Sequence, residues 1–291
     1  MNPKSHSNFS SQRIALSIEY DGRHFYGSQR QANVRTVQQT MEDVFAGVFG
    51  TRSSVDFSGR TDTGVHARRQ VCAFDSDGID RYGLEIFERI IDRNLPEDIS
   101  LRNIGAAVKD FDPRRDALSR RYRYFIEHGP RRSSLSRNRK YHVRQRLDVD
   151  SMKSALNSLP HTEVDWSAFA GKTPTYYCTH RTLMSTSLRE IGSNTLEINF
   201  ESDGFLPHQV RIMVGALLRV GRLKISADSF HLLLLGDVGS AGPAVPPEGL
   251  ELAQVRYPAG LVDWVHSDGA NDNWINNEHR SKISVRSRSI K

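Results

Sequence analysis

The chain runs through the same series of hydrophobic patterns twice, and this limits the folds that it can adopt. Residues 13–20 alternate apolar and polar side chains, as a half-buried strand does, and residues 37–49 place apolar side chains at helical spacing. A second series of strands and helices begins at residue 122, after a seam near Pro113. This mixture predicts an α+β fold of two similar domains, each a mostly antiparallel sheet covered by helices.

The remaining segments continue this pattern. Helices are expected at residues 84–93, 152–159, 210–220 and 227–235, and strands at residues 54–57, 71–74, 101–108, 122–127, 183–191, 196–201 and 250–257. Gly192, Ser193 and Asn194 separate two of these strands and predict a hairpin turn. Because no glycine-rich phosphate loop follows the first strand, a doubly wound nucleotide-binding fold is not favoured.

The seam divides the 291 residues into two expected domains, in agreement with a soft rule of about 150 residues for each. The N-terminal domain spans residues 12–112, and the C-terminal domain spans residues 113–263. Residues 1–11 form a polar N-terminal tail, and residues 264–291 form a polar basic tail. We expect both tails to be disordered.

Composition and charge favour a soluble protein that binds a polyanion. Hydrophobic residues make up 37% of the chain, charged residues make up 25%, and the net charge is +6. Apolar runs fall well short of the ~20 residues that span a bilayer, and the N-terminus lacks an apolar signal region. We therefore expect a cytoplasmic protein without a membrane partner. Cys72 and Cys178 are too few for a disulfide framework or a closed zinc site, and no metal is expected.

Arginine residues are densest between residues 114 and 146. Five of them lie within residues 114–123, and no aspartate or glutamate occurs from residue 128 to residue 147. Tyr122, Tyr124 and Tyr141 lie among them and could stack on unpaired bases. We expect an RNA contact surface here, and a solvated basic face is the alternative.

The segment SGRTDTGVHA, residues 58–67, has the composition of a polar loop that approaches a ligand. Gly59 and Gly64 bracket it, as in loops where the backbone passes close to another group. Asp62 could be a catalytic carboxylate or cap a turn, and His66 could be a general base or a structural histidine. A metal-dependent nuclease that uses these two residues would need further clustered carboxylates, which the segment lacks.

Several ordered segments resemble the TruA family of tRNA pseudouridine synthases. Residues 58–67 resemble the family signature A-G-R-T-D-A-G-V-H, and the similarity extends from about residue 12 to residue 262. The other matching segments are YDGRHFYGSQRQ (20–31), NLP (94–96), FDPRRDALSRRYRY (111–124), GFLPHQVRIMVGALLRVG (204–221) and PEGLEL (247–252). The departures are Ser28 for a usual tryptophan, Thr63 and Pro113 for usual alanines, residues 206–209 in place of a run of histidines, and an altered loop at residues 242–247.

The resemblance implies a pseudouridine synthase fold with a cleft between the two domains. It implies an isomerase that converts uridine to pseudouridine at positions 38, 39 and 40 in the anticodon stem and loop of tRNA. It further implies a homodimer that needs no cofactor. The alternative is a non-catalytic tRNA-binding or RNA-folding protein that uses the same basic cleft.

The resemblance also assigns roles to individual residues. Asp62 is the implied nucleophile, which either adds to the sugar or removes a sugar proton. Tyr122 would stack on the base and serve as a candidate proton acceptor, and Arg211 would pair with Asp62. A surface salt bridge is the alternative for Arg211, a core position the alternative for Leu250, and a structural role the alternative for His66. The expected substrate-binding residues are Arg60, Tyr122, Arg114, Arg121, His66 and Leu250.

Overall fold

The computed structural model describes residues 12–50, 52–76, 83–174 and 176–266. The predicted strands and helices occur there in the expected order, together with three short strands at Tyr141–Val143, Glu163–Asp165 and Val262–Trp264 that were not predicted. The strands are β1 (Gln12–Tyr20), β2 (Asp56–Phe57), β3 (His66–Ser76), β4 (Ile99–Ala107), β5 (Ser119–His128), β6 (Tyr141–Val143), β7 (Glu163–Asp165), β8 (His180–Glu190), β9 (Thr195–Ser202), β10 (Leu250–Arg256) and β11 (Val262–Trp264). The helices are α1 (Val37–Phe49), α2 (Leu84–Asn94), α3 (Val149–Asn157), α4 (Gln209–Gly221) and α5 (Ala227–Leu232). Short 3-10 turns occupy Gly22–His24, Ser167–Phe169, Leu233–Leu235 and Pro247–Gly249.

One mixed sheet connects the two halves of the chain. Its strand order is β11-β4-β1-β3-β10-β5-β9-β8-β7, with β2 beside β3 and β6 beside β5. The halves meet where β10 runs parallel to β3, with Glu251 opposite His66 and Leu252 opposite Ala67. The α+β class is confirmed, and most strand pairs are antiparallel. The division into two domains at residue 113 stays a prediction, and β11 pairs with β4 of the other half.

Local sequence explains most element boundaries. Helix α1 begins after Thr36, whose side chain accepts a hydrogen bond from the Gln39 backbone, and ends at Gly50, which has a left-handed φ of 73°. The predicted hairpin between β8 and β9 forms, and Gly192 has a φ of 81° in its turn. The helix predicted at residues 227–235 ends early, since its last turn is a 3-10 turn.

The chain ends fall partly outside the described residues. Trp264 lies in β11, and the Val265 backbone donates a hydrogen bond to Ile104 in β4. The structured part therefore continues to residue 266, slightly beyond the predicted boundary at residue 263. The expected tails at residues 1–11 and from residue 267 on lie outside the described residues.

The two faces of the sheet differ in chemistry. Tyr122 lies opposite both Leu252 and Phe200, and these side chains share one face because paired residues project to the same side. Helix α1 packs on this face, where Phe45 stacks on Phe74 of β3. Neighbouring positions project to the opposite face, where Arg123 pairs with Glu251. The first face therefore holds the core and the helices, and the second face holds ion pairs.

Candidate active site

A cavity of about 740 Å³ opens on the helix-bearing face where the two halves of the sheet meet. Its walls come from the segment that precedes β3, from β5, from β10 and from the start of α4. Six of its lining residues are Arg60, Asp62, Tyr122, His208, Arg211 and Leu250. The structure therefore brings Arg60 and Asp62, from one segment, together with Tyr122, Arg211 and Leu250 from distant parts of the chain.

Asp62 lies in a tight turn that depends on close backbone contacts. The Val65 backbone donates a hydrogen bond to the Asp62 carbonyl at 3.1 Å, and Gly64 in between has a φ of 79°. Gly27, from the N-terminal motif, packs directly against this turn: a Cβ there would lie 2.8 Å from the Thr61 carbonyl oxygen. Gly27 also has a φ of 89°, so glycine is required at this position for two reasons.

Buried hydrogen bonds support the residues just before Asp62. The Gln70 side-chain oxygen accepts from the Ser58 hydroxyl, and its amide nitrogen donates to the Gly59 carbonyl at 2.9 Å. The Tyr20 hydroxyl lies 2.8 Å from the Thr61 hydroxyl, and burial raises the pKa of Tyr20 to about 12. Gln70 is fully buried on β3, so this support is rigid. Neither Gln70 nor this network is predicted from the sequence.

Ser28 forms a second support for the same turn. Its hydroxyl accepts a hydrogen bond from the Thr61 backbone at 2.9 Å, and its own backbone donates to the Thr61 carbonyl at 3.1 Å. Ser28 is fully buried. The residue that departs from the family motif therefore binds the backbone next to Asp62, and a tryptophan has no hydroxyl with which to make the first of these bonds.

The Asp62 carboxylate is oriented through one of its two oxygens. The Arg211 guanidinium donates to Oδ2 at 2.8 Å, and Nε2 of His208 lies 3.6 Å from the same atom. Arg211 is itself held by a hydrogen bond from Nε to the Val245 carbonyl at 2.7 Å. Within the described part of the chain, no hydrogen bond or ion pair reaches Oδ1 of Asp62. Its side chain is 30% exposed toward the cavity, so Oδ1 is available to a ligand.

Tyr122 forms an apolar floor of the cavity. Its side chain is buried and contacts Phe205 edge-to-face with ring centroids 5.2 Å apart. Burial raises the pKa of Tyr122, and the negative charges of ionised Tyr20 and Asp62 act in the same direction. The phenol therefore stays protonated at neutral pH. Leu250 lies on the adjacent strand β10 and is 5% exposed at the cavity wall.

Two neighbouring arginines on β5 project to opposite faces of the sheet. Arg120 lines the cavity and donates to the carbonyls of Ser58 at 3.0 Å and Asp203 at 2.7 Å. It thereby connects the Asp62 segment to the other half of the sheet. Arg121, one of the six expected substrate-binding residues, projects to the opposite face and pairs with Glu201 at 2.8 Å. The structure does not bring Arg121 into the cavity.

His66 also lies away from the cavity. It is 3% exposed and sits on the sheet face opposite Tyr122. The Gly22 backbone donates to Nδ1 at 3.1 Å, and Nε2 donates to the Asn138 carbonyl at 2.9 Å. Burial and the nearby Arg139 lower the pKa of His66, so this hydrogen-bonded ring is neutral. Its position is that of a structural histidine.

The basic residues at the cavity come from separate parts of the chain. Arg60 and Arg114 are exposed at its mouth, and Arg181 joins them from β8. The long basic segment without acidic residues, 129–146, lies elsewhere: Ser133 donates to Glu127, which projects to the opposite face. The expected contact surface is therefore split between the two faces.

Metal ligation and membrane insertion find no support in the described residues. Within them, no group of three or more histidine, cysteine, aspartate or glutamate residues is placed to hold a metal ion. The same part of the chain contains no helix long and apolar enough to cross a bilayer. Cys72 is buried and Cys178 is exposed, each as a free thiol.

Comparison with known families agrees with this arrangement. A family model described as tRNA pseudouridine synthase matches residues 16–114 and 163–258. The matched residues include Asp62, Arg211 and the strands β9 and β10, which pair with β5 on either side of Tyr122. The chain belongs to the tRNA pseudouridine synthase family, a family of isomerases. The resemblance and the fold that it implies are confirmed.

The relatives within that family carry one more specific name. The tRNA pseudouridine synthase A of Chloroflexus aurantiacus is 38% identical over 256 residues, which cover 87% of this chain and 91% of the relative. Proteins of the same name from Geotalea uraniireducens and Geobacter sulfurreducens are 38% and 36% identical over 246 and 245 residues. Each alignment covers 84% of this chain and 99% of the relative.

Proposed function

We propose that this protein isomerises uridine to pseudouridine in tRNA, at positions 38, 39 and 40 of the anticodon stem and loop. The observation that carries the proposal is the Asp62 carboxylate, held through Oδ2 by Arg211 in the cavity that Tyr122 also lines. The family match and the name shared by its relatives support the reaction. The three positions rest on the resemblance to the TruA family.

The reaction breaks the bond between N1 of uracil and C1′ of ribose and forms a bond between C5 and C1′. A proton leaves C5, and N1 gains one, so the nucleotide keeps its composition. Positive charge develops at C1′ as the first bond breaks, and a carboxylate stabilises it. We assign the attack on C1′ to Oδ1 of Asp62, because Arg211 already occupies Oδ2. A nucleophile must also be held in position, and the guanidinium of Arg211 holds Oδ2 of Asp62 at 2.8 Å.

The target nucleotide must leave its stack before it can reach Asp62. A cavity of about 740 Å³ falls within the roughly 300–1,000 Å³ of small-ligand sites and holds one nucleotide. In this proposal the uracil stacks on Tyr122 beside Leu250, while Arg60 and Arg114 at the mouth bind the backbone. The raised pKa of Tyr122 favours stacking over proton abstraction, since the phenol oxygen is not a phenolate.

Asp62→Asn tests the assignment of the nucleophile. The amide keeps the shape of the carboxylate but cannot attack C1′, so single-turnover pseudouridine formation in an unmodified tRNA transcript should fall by ~10³-fold or more. Binding of tRNA should persist, because the arginines at the cavity are unchanged. Asp237→Asn is the matched control, since this exposed aspartate lines no part of the cavity and should leave the rate unchanged. Pseudouridine formation by Asp62→Asn at the native rate would refute the proposal.

Three further expectations belong to this proposal. They are a homodimer, a cytoplasmic location and a division into domains at residue 113. Exposed apolar side chains at the end of α5 and just after it, among them Leu232, Leu235 and Val238, support an association surface of this kind. A dimer with two-fold symmetry would present two copies of the cavity.

A further inference from the structure

A second cavity of about 790 Å³ adjoins the candidate active site. Arg60 and Arg114 line both cavities and form the ridge between them. One wall of the second cavity is β2, which leads directly into Ser58 and the Asp62 turn. The opposite wall is the segment 109–115, which contains Lys109. A bound strand that leaves the first cavity across this ridge therefore enters the second cavity.

Most acidic side chains of the second cavity have a partner within the protein. Arg13 is 9% exposed and pairs with Asp56 at 2.6 Å and with Asp75 at 3.3 Å. Asp112 accepts hydrogen bonds from the backbones of Arg114 and Arg115 at 2.8 and 3.0 Å. Asp112 also pairs with Arg115 at 3.4 Å. Two guanidiniums thus face three of the four aspartates that line the cavity, which reduces their combined charge to −1.

The cations at the ridge and the rim have no such compensation. Within the described residues, the side chains of Arg60, Lys109 and Arg114 form no ion pair, and Asp110 is the one lining aspartate that also forms none. Five cationic and four carboxylate side chains line the cavity, so its net charge is +1, and the three cations without an ion pair lie at the ridge and the rim. Lys109 is exposed and lines the second cavity but not the first. A substitution that removes its charge therefore tests the second cavity separately.

We propose that the second cavity binds the phosphodiester backbone of the nucleotides next to the target uridine. The proposal rests on the proposed function and extends it: a base held over Tyr122 stays attached to its strand, and the strand must leave over the Arg60 and Arg114 ridge. Lys109 binds a phosphate one step beyond that ridge. Such contacts fix the register of the RNA and do not read its sequence.

Lys109→Gln tests this subsite through the salt dependence of binding. Each phosphate contact contributes about 0.7–0.9 to the slope of log affinity against log salt. The variant should bind a tRNA transcript more weakly than the native protein at low salt. The ratio of native to variant affinity should fall by ~3-fold between 50 and 200 mM salt. The kcat/KM for pseudouridine formation should fall by the same factor as the affinity. Lys224→Gln is the matched control, an exposed lysine that lines neither cavity, and should leave the slope unchanged.

A neutral linkage in the RNA identifies the phosphate. Single methylphosphonates are placed on either side of the target uridine, and each is measured with native protein and with Lys109→Gln. One linkage should weaken binding to the native protein but have little further effect on the variant, because the contact is already lost. The subsite is refuted if every methylphosphonate weakens binding to Lys109→Gln as much as it weakens binding to the native protein. It is also refuted if Lys109→Gln and Lys224→Gln have the same slope of log affinity against log salt. If the native protein forms no pseudouridine while the coupling is present, the proposed function fails and the RNA subsite stands.

Discussion

Gln70→Leu separates the support of the Asp62 turn from the chemistry of Asp62 itself. Leucine nearly conserves the volume of the fully buried Gln70 side chain and removes both of its polar groups. The Ser58 hydroxyl loses its acceptor, and the Gly59 carbonyl loses its donor. Asp62, Arg211 and Tyr122 keep all their atoms.

The expected cost follows from the burial of the two groups that lose a partner. The Ser58 hydroxyl is completely buried, and an unsatisfied group of this kind costs ~1–3 kcal/mol. The Gly59 carbonyl is partly buried and loses the net value of a hydrogen bond, ~0.5–1.5 kcal/mol. The free energy of unfolding should therefore fall by roughly 1.5–4.5 kcal/mol. A loosened turn also displaces Asp62, and a displacement of about 1 Å costs roughly 100-fold in rate.

Urea unfolding measures the first quantity, and single-turnover pseudouridine formation at saturating tRNA measures the second. Both are run at a temperature where the variant is folded, and tRNA affinity is expected to stay at the native value. Ser58→Ala in the Gln70→Leu background removes the unsatisfied hydroxyl and should recover ~1–3 kcal/mol without restoring the rate. A folded Gln70→Leu protein with native single-turnover rate would show that the Gln70 network does not position Asp62.

Two further substitutions distinguish neighbouring or competing roles. Arg120→Gln should reduce kcat/KM at least ~10-fold and lower the free energy of unfolding by about 2–4 kcal/mol, because partly buried carbonyls on both halves of the sheet lose a charged donor. Arg121→Gln, on the opposite face, should keep kcat/KM within about 3-fold. Equal losses of activity in the two variants would contradict this assignment. His66→Gln should flatten the fall in stability on acidification. Burial lowers the pKa of His66 below its ordinary value of 6.5, so the unfolded chain takes up a proton that the folded chain does not, and native stability is lost as the pH drops below that value. Urea titrations between pH 7.5 and 5.5 measure the slope, and a variant as pH-sensitive as the native protein would contradict this origin.

The fold could be predicted as far as local periodicity reaches. Helix α1 was predicted because Val37, Met41 and Phe45 recur at helical spacing, and all three are buried. Strand β3 was predicted only at residues 71–74 but begins at His66, because an irregularity in its pairing with β1 interrupts the alternation of buried and exposed positions. The parallel pairing of β10 with β3 joins segments far apart in sequence, and no local pattern specifies it.

The site could be predicted where a residue type carries the chemistry. Asp62, Tyr122 and Arg211 were identified by resemblance, and the structure places them around one cavity. Gln70 and Ser28 were not identified, because their hydrogen bonds form only after distant segments pack together. Their residue types alone fit a strand and a loop equally well.

Charge density along the sequence was a weaker guide than strand periodicity. Successive residues of a strand project to opposite faces, so Arg120 faces the same side as Tyr122 whereas Arg121 does not. That alternation could have separated the two arginines from the sequence, given Tyr122 as a reference. The five arginines that line the cavity come from five separate positions, Arg60, Arg114, Arg120, Arg181 and Arg211. Because tertiary packing assembles this set, a variant that removes charge from the dense 129–146 segment tests the opposite face of the sheet and not the cavity.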